Sequence, residues 1–190
     1  MATSNPIRRG VAWLLAVALL LAAAAWLWSM PMVRAVPETF RLSRMPVPLA
    51  LPVPVQGVQA ARIADTWGGA RSGGRRHQGV DIFAARGTPV LSTTTGVVAR
   101  IGDYGIGGKH VWVLGPGGER HYYAHLDAWA PGLHPWQVVR AGDPLGEVGT
   151  TGNARGTPPH LHYGIYASGG ALNPHPRLGP SANPAFTESR

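Results

Sequence analysis

The sequence predicts an all-β fold: a compact, mostly antiparallel β-sheet domain preceded by one N-terminal transmembrane helix. Three observations point there. Glycine (26) and proline (18) are abundant among the 190 residues, a composition that suits short strands joined by tight turns and opposes long helices. From about residue 57 to 170, short apolar runs alternate with glycine-containing breaks, and no stretch keeps a helical period. Residues 11–28, VAWLLAVALLLAAAAWLW, are apolar without a single charge.

As a helix, that run would measure about 27 Å, close to the hydrocarbon thickness of a bilayer. Arg8 and Arg9 precede it, so residues 1–10 are expected on the cytoplasmic side, and Trp13, Trp26 and Trp28 sit near its ends as interfacial aromatics do. A signal peptide is the alternative, because Val33-Arg34-Ala35 offers small residues at −3 and −1 of a cut that would release a secreted form. In either case the remainder lies outside the cytoplasm. Residues 29–56 carry prolines at 31, 37, 46, 48, 52 and 54. Proline removes an amide donor and fixes φ, so this stretch is expected to be an extended linker whose end becomes the first segment of the domain.

Within the domain, 57–170, the expected strands are 88–92, 96–101, 110–114, 120–125, 144–148 and 160–166, with Gly115–Gly118 (GPGG) turning one hairpin. Residues 171–190 contain four prolines and few large apolar residues, and are expected to be a disordered tail.

Charge and cysteine narrow the chemistry. The net charge is +8, but between Arg62 and Gly170 ten Lys and Arg face seven Asp and Glu, so much of the excess lies in the flanks. A nucleic-acid surface would need a basic patch interleaved with aromatics on the folded domain; only the run Arg71–Arg76 is strongly basic, and attraction to an anionic envelope is the simpler reading. With no cysteine there is no disulfide, no thiolate ligand and no thiol nucleophile, so a metal would have to sit on histidine and carboxylate.

Two spacings supply such ligands. His77-Gln-Gly-Val-Asp81 is an HxxxD, and His160-Leu161-His162 is an HxH inside an expected strand. Side chains two apart on a strand share a face, so both imidazoles aim one way and Leu161 the other. Two histidines and a carboxylate suit a catalytic zinc, which commonly keeps three protein ligands and one open position.

The strings HQGVDIFAARGTPVLSTTTGVV, YYAHL and GTTGNARGTPPHLHYGIY, in that order, resemble the lysostaphin/LytM-type zinc metallopeptidases over about Ile63–Tyr166. The resemblance implies a lysostaphin/LytM-type fold and one zinc per chain held by His77, Asp81 and His162. It further implies that His125 and His160 act on the reacting water and carbonyl, in an order left open. The implied activity is hydrolysis of peptide cross-links or stem peptides of bacterial peptidoglycan, at the inner membrane with the catalytic domain in the periplasm or another extracytoplasmic space. The alternative is a non-catalytic peptidoglycan-binding or activator module, as in relatives that have lost ligands; none is lost here. Departures are small: Trp67-Gly68 stands where Phe-Gly is frequent, and Gln78 replaces a frequent lysine. Tyr123 and His121 lie two and four residues before His125, so on one continuous strand they would share its face; a place in the substrate groove stands for each against a plain packing role. Glycines 105, 107, 108, 149, 152 and 156 are expected to wall that groove.

Overall fold

The structure, a computed structural model, describes residues 6–179. Helix α1 spans Pro6–Ser29, and its Ile7–Ser29 portion has a mean hydropathy of 2.3 with none of its apolar window buried, so it is long and apolar enough to cross a membrane. One residue later, α2 runs from Pro31 to Ser43.

That second helix corrects the expectation of an extended linker over 29–56. Pro31 sits in the first turn, where an amide donor has no partner to lose. Pro37 lies inside the helix and does cost a hydrogen bond. Tertiary packing outweighs it: Ala35 and Leu42, two turns apart on one face, are buried against Val97 with Met45 beside them. The segment becomes extended only further on, where Leu51, Val53 and Val55 point into the core and alternate with Pro52 and Pro54.

The domain is mostly antiparallel sheet. Its strands are β1 (Leu51–Pro52), β2 (Val80–Phe83), β3 (Pro89–Leu91), β4 (Gly96–Asp103), β5 (Lys109–Leu114), β6 (Arg120–Ala124), β7 (Leu126–Trp129), β8 (Val138–Val139), β9 (Pro144–Val148), β10 (His160–Ala167), β11 (Gly170–Leu172) and β12 (Leu178–Gly179). A seven-stranded sheet runs β11-β10-β6-β5-β4-β8, with β2 pairing the first half of β10. A three-stranded sheet runs β3-β9-β7. One apolar cluster is shared by both sheets: Val80, Ile82, Val111, Val113, Leu161 and Ile165 come from the large one, Val90, Leu126, Leu145 and Val148 from the small one. The core therefore lies between them; on the far face of the large sheet α2 covers Val97, and His160 and His162 line a cleft.

All six expected strands form, and Gly115–Gly118 joins β5 to β6 with Gly117 and Gly118 at positive φ, as a tight reversal requires. β2, β7 and β11 were not anticipated, nor were the two-residue strands.

The tail needs correction too. Residues 171–179 are tied to the domain; residues 180–190 lie outside those described. Leu178 and Gly179 pair in parallel with Leu51 and Pro52. The Arg177 guanidinium grips both oxygens of buried Glu119 (2.8 and 2.9 Å) and donates to the Pro48 carbonyl (2.6 Å). A proline-rich, weakly apolar segment is ordered here by polar contacts with residues far away in the chain, which local composition cannot report.

Candidate metal centre

Strand β10 organises the site. Its alternation sends Leu161, Tyr163 and Ile165 into the core and His160 and His162 to the opposite face. Antiparallel pairing with β2 sets Asp81 directly across from His162, and pairing with β6 sets Ala124 across from it on the other side. His77 lies three residues before β2 in a segment fixed by main-chain bonds, His77 N–H to the Gly69 carbonyl (2.8 Å) and Gly68 N–H to the His77 carbonyl (2.9 Å).

Three candidate ligand atoms converge. Nε2 of His77 lies 2.8 Å from Nδ1 of His162, and each is 3.1 Å from Oδ1 of Asp81. The triangle is slightly smaller than one face of a tetrahedron around an ion with nitrogen and oxygen ligands at about 2.0–2.1 Å, whose edge is about 3.4 Å. The His77 Nδ1–H donates to the Thr66 carbonyl (2.7 Å), which fixes the ring and leaves Nε2 with a lone pair. Burial lowers the His162 pKa, with Asp81 acting in the opposite sense, so its imidazole is neutral near pH 7. Burial would raise the Asp81 carboxyl, but hydrogen bonds and charges from His162 and His77 outweigh it and keep the group ionised. Two imidazole lone pairs and a carboxylate oxygen this close repel one another unless a cation or shared protons lie between them. The donor set fits one hard or borderline cation such as zinc.

The approach of His162 depends on Gly79. A Cβ there would sit 2.5 Å from the Tyr163 carbonyl oxygen and 2.7–2.8 Å from the His162 ring. The glycine of HQGVD is thus a packing requirement of the cluster, not of its turn.

The cluster lies in a cleft of about 650 Å³ that His125 and His160 also line. Their rings are 5.1 Å apart, centroid to centroid. Each anchors its Nδ1–H on a main-chain carbonyl, His125 on Thr151 (2.9 Å) and His160 on Pro158 (2.8 Å), and this tautomer leaves Nε2 as an acceptor. Burial, then the neighbouring His162 and His160, push the His125 pKa down to about 4, so it is a neutral base at neutral pH.

The expectation that Tyr123 and His121 share a face with His125 is overturned. Both point into the core, and Tyr122 lines the cleft instead. Strand β6 stops at Ala124, and His125 adopts φ 64°, held by its N–H on the Gly107 carbonyl (2.9 Å). That left-handed residue reverses the alternation, so His125 reaches the cleft although its parity matches the core. Tyr122 packs edge-on to His162 (5.9 Å) and stacks on Trp112 (4.3 Å). Of the groove-wall glycines, Gly107 lines the cleft, and Gly108 and Gly152 meet so closely that neither could carry a Cβ.

Sequence reasoning also missed the place of Arg71, which donates to Oδ2 of Asp81 (2.5 Å), the oxygen turned away from the cluster. The signal was the basic run beside HxxxD, read there only as charge.

Comparison with known proteins gives a family model, described as peptidase family M23, that matches residues 75–174. The L-Ala–D-Glu endopeptidase of Bacillus subtilis is 41% identical over 140 residues, covering 68% of this chain and 42% of that protein. Among solved structures, Helicobacter pylori Csd3 aligns with a TM-score of 0.56 at 31% identity, over 70% of this chain and 35% of that one. The catalytic domain of lysostaphin from Staphylococcus simulans aligns with a TM-score of 0.53 at 31% identity, over 60% of this chain and 90% of that one. The chain thus spans less than half the length of the Bacillus relative.

Proposed function

The chain belongs to peptidase family M23, and on that premise we propose that it is a zinc metalloendopeptidase hydrolysing peptide cross-links or stem peptides of bacterial peptidoglycan. The observation that carries the proposal is the meeting of His77 Nε2, Asp81 Oδ1 and His162 Nδ1 in a cleft that also holds two carbonyl-anchored histidines, His125 and His160. The name of the Bacillus relative, an endopeptidase acting on an L-Ala–D-Glu bond, supports the substrate class.

His77, Asp81 and His162 would hold the zinc, which when bound would polarise the scissile carbonyl and acidify a water. The remaining work falls to side chains already oriented. His125, neutral at working pH, would take a proton at Nε2 from the attacking water. His160, with its Nδ1–H fixed on Pro158, would turn Nε2 toward the reacting carbonyl and, once protonated, donate to the oxygen on which charge develops. The two assignments can be exchanged without altering the geometry. Phe83, packed on His160 at 5.2 Å between ring centroids, would help exclude water.

Residues 11–28 would be retained as a single-pass anchor, with the peptidase domain of 57–170 outside the cytoplasm. Supporting this, the signal-peptide cut after Ala35 would fall inside α2, and Ala35 itself is buried against the domain. Fractionation with N-terminal sequencing tests it: an intact N-terminus in the membrane fraction is expected, and a soluble form beginning at Val36 would refute it.

The enzyme reading is tested by digesting purified peptidoglycan with the full-length protein in detergent, with and without chelator, followed by zinc add-back. Release of new amino termini that chelation stops and zinc restores is expected, with one zinc per chain. Zinc bound without any hydrolysis would favour the activator reading, and hydrolysis indifferent to chelator would remove the metallopeptidase reading.

A further inference from the structure

The basic run Arg71–Arg76 has a specific shape. Residues 70–76 fold into a tight hairpin: Ala70 bridges Arg76, the Arg71 N–H donates to the Arg75 carbonyl (2.9 Å), and Gly73 and Gly74, both at φ 72°, make the reversal. The hairpin brings three guanidinium groups to the cleft that contains the metal cluster.

The three are not equivalent. Arg71 is committed to Asp81. Arg75 donates from Nε to the Ser72 carbonyl (3.1 Å) and from Nη2 to the Ser72 hydroxyl (3.3 Å), while Arg76 donates from Nη1 to the Gly68 carbonyl (3.1 Å). These bonds orient both side chains but leave donors over, and neither meets a carboxylate among the described residues. Among the described residues Asp81 is the one acidic side chain lining the cleft, and Arg71 and the two histidines already share it. The cleft therefore presents two pre-oriented guanidinium groups with no internal counter-charge, directly before the first metal-ligating residue.

We propose that Arg75 and Arg76 form a carboxylate-binding subsite that selects stem peptides bearing free carboxylates over neutral substrates such as glycine bridges. The guanidinium fork matches a carboxylate in bidentate geometry, and the main-chain tethers reduce the entropy lost on binding. A ligand that also places a peptide bond at the cluster must carry its anion on the peptide itself, which favours a carboxylate over a detached phosphate. The inference rests on the peptidase reading for its substrate, so its test includes a measurement that needs no turnover.

The experiment uses the full-length, zinc-loaded protein in detergent and a labelled, non-hydrolysable stem peptide made with free or amidated carboxylates. At low salt the free form should bind roughly five- to tenfold tighter, as charge-assisted pairs at an exposed site allow. In Arg75→Gln/Arg76→Gln that ratio should fall to near one. With cleavable peptides, the same change should appear in KM far more than in kcat. Equal binding of the two peptides by the wild type, or a ratio that survives the double substitution, would overturn the subsite. Inorganic phosphate displacing the peptide at concentrations near its own Kd would also overturn it, by marking a general anion surface. If no peptide is cleaved, the peptidase reading fails while the binding ratio still decides the subsite.

Discussion

His162 lies directly across from Asp81 in the β2–β10 register, with its Nδ1 3.1 Å from the carboxylate Oδ1. One residue of slip between the strands would turn one of the two side chains into the core. The candidate metal centre is therefore as well specified as the pairing of those two strands.

If these groups are ligands, His162→Ala and Asp81→Asn should each weaken zinc binding by more than about 100-fold, since three protein ligands leave no redundancy. Zinc per chain after dialysis against a competing chelator measures this. Full retention of metal by His162→Ala would remove His162 from the ligand set.

Gly79→Ala should act on the same site without touching a ligand. The added methyl meets a carbonyl oxygen at 2.5 Å and the His162 ring at 2.7–2.8 Å, so the ring must move. Expected are a loss of about 1–3 kcal/mol of stability, typical of overpacking, and zinc affinity lowered at least about tenfold. Denaturant melts paired with metal titration would detect both, and unchanged affinity would contradict the packing requirement.

His125→Ala and His160→Ala should keep the metal and lose turnover by about 100-fold or more each, because both line the cleft with Nδ1 bound to a main-chain carbonyl and neither belongs to the His77–Asp81–His162 cluster. Steady-state rates alongside metal content provide the check. Near wild-type rates in both variants would defeat the assigned roles.

His121 gives a pH dependence that does not involve the site. It is fully enclosed: Nδ1 lies 2.8 Å from the Tyr163 hydroxyl, Nε2 has no hydrogen-bond partner among the described residues, and the Glu119 carboxylate, 4.0 Å from Nε2, is paired with Arg177. Burial, then Arg177, push its pKa down to about 3. The unfolded chain, with a histidine pKa near 6.5, binds this proton first, so the stability is complete above about pH 6.5 and is lost as pH falls from there toward about 3. The slope approaches about 1.4 kcal/mol per pH unit within that window. Urea melts at pH 7.5, 6 and 5 on wild type and His121→Gln should show the variant with the shallower dependence. Parallel slopes would place the acid sensitivity elsewhere.

Much of this was legible in the chain itself. The apolar run of residues 11–28, the six expected strands and the shared face of His160 and His162 all follow from periods of a few residues. Backbone geometry imposes those periods locally, whatever the rest of the molecule does. The resemblance, by matching motifs in order, singled out His77, Asp81 and His162, which the structure brings together.

Tertiary structure decided what local pattern could not. It brought His77 to His162 across 85 positions, and Arg177 to Glu119 across 58, turning an expected tail into part of the domain. It made a helix of the proline-bearing segment 31–43, because burial of Ala35 and Leu42 outweighs the missing amide of Pro37. It broke the alternation at His125 through one left-handed residue held by Gly107, exchanging Tyr123 for Tyr122 in the cleft. Each of these depends on strand register, chain reversal or a partner distant in the sequence, and the free energy of such contacts exists only once the chain has closed on itself.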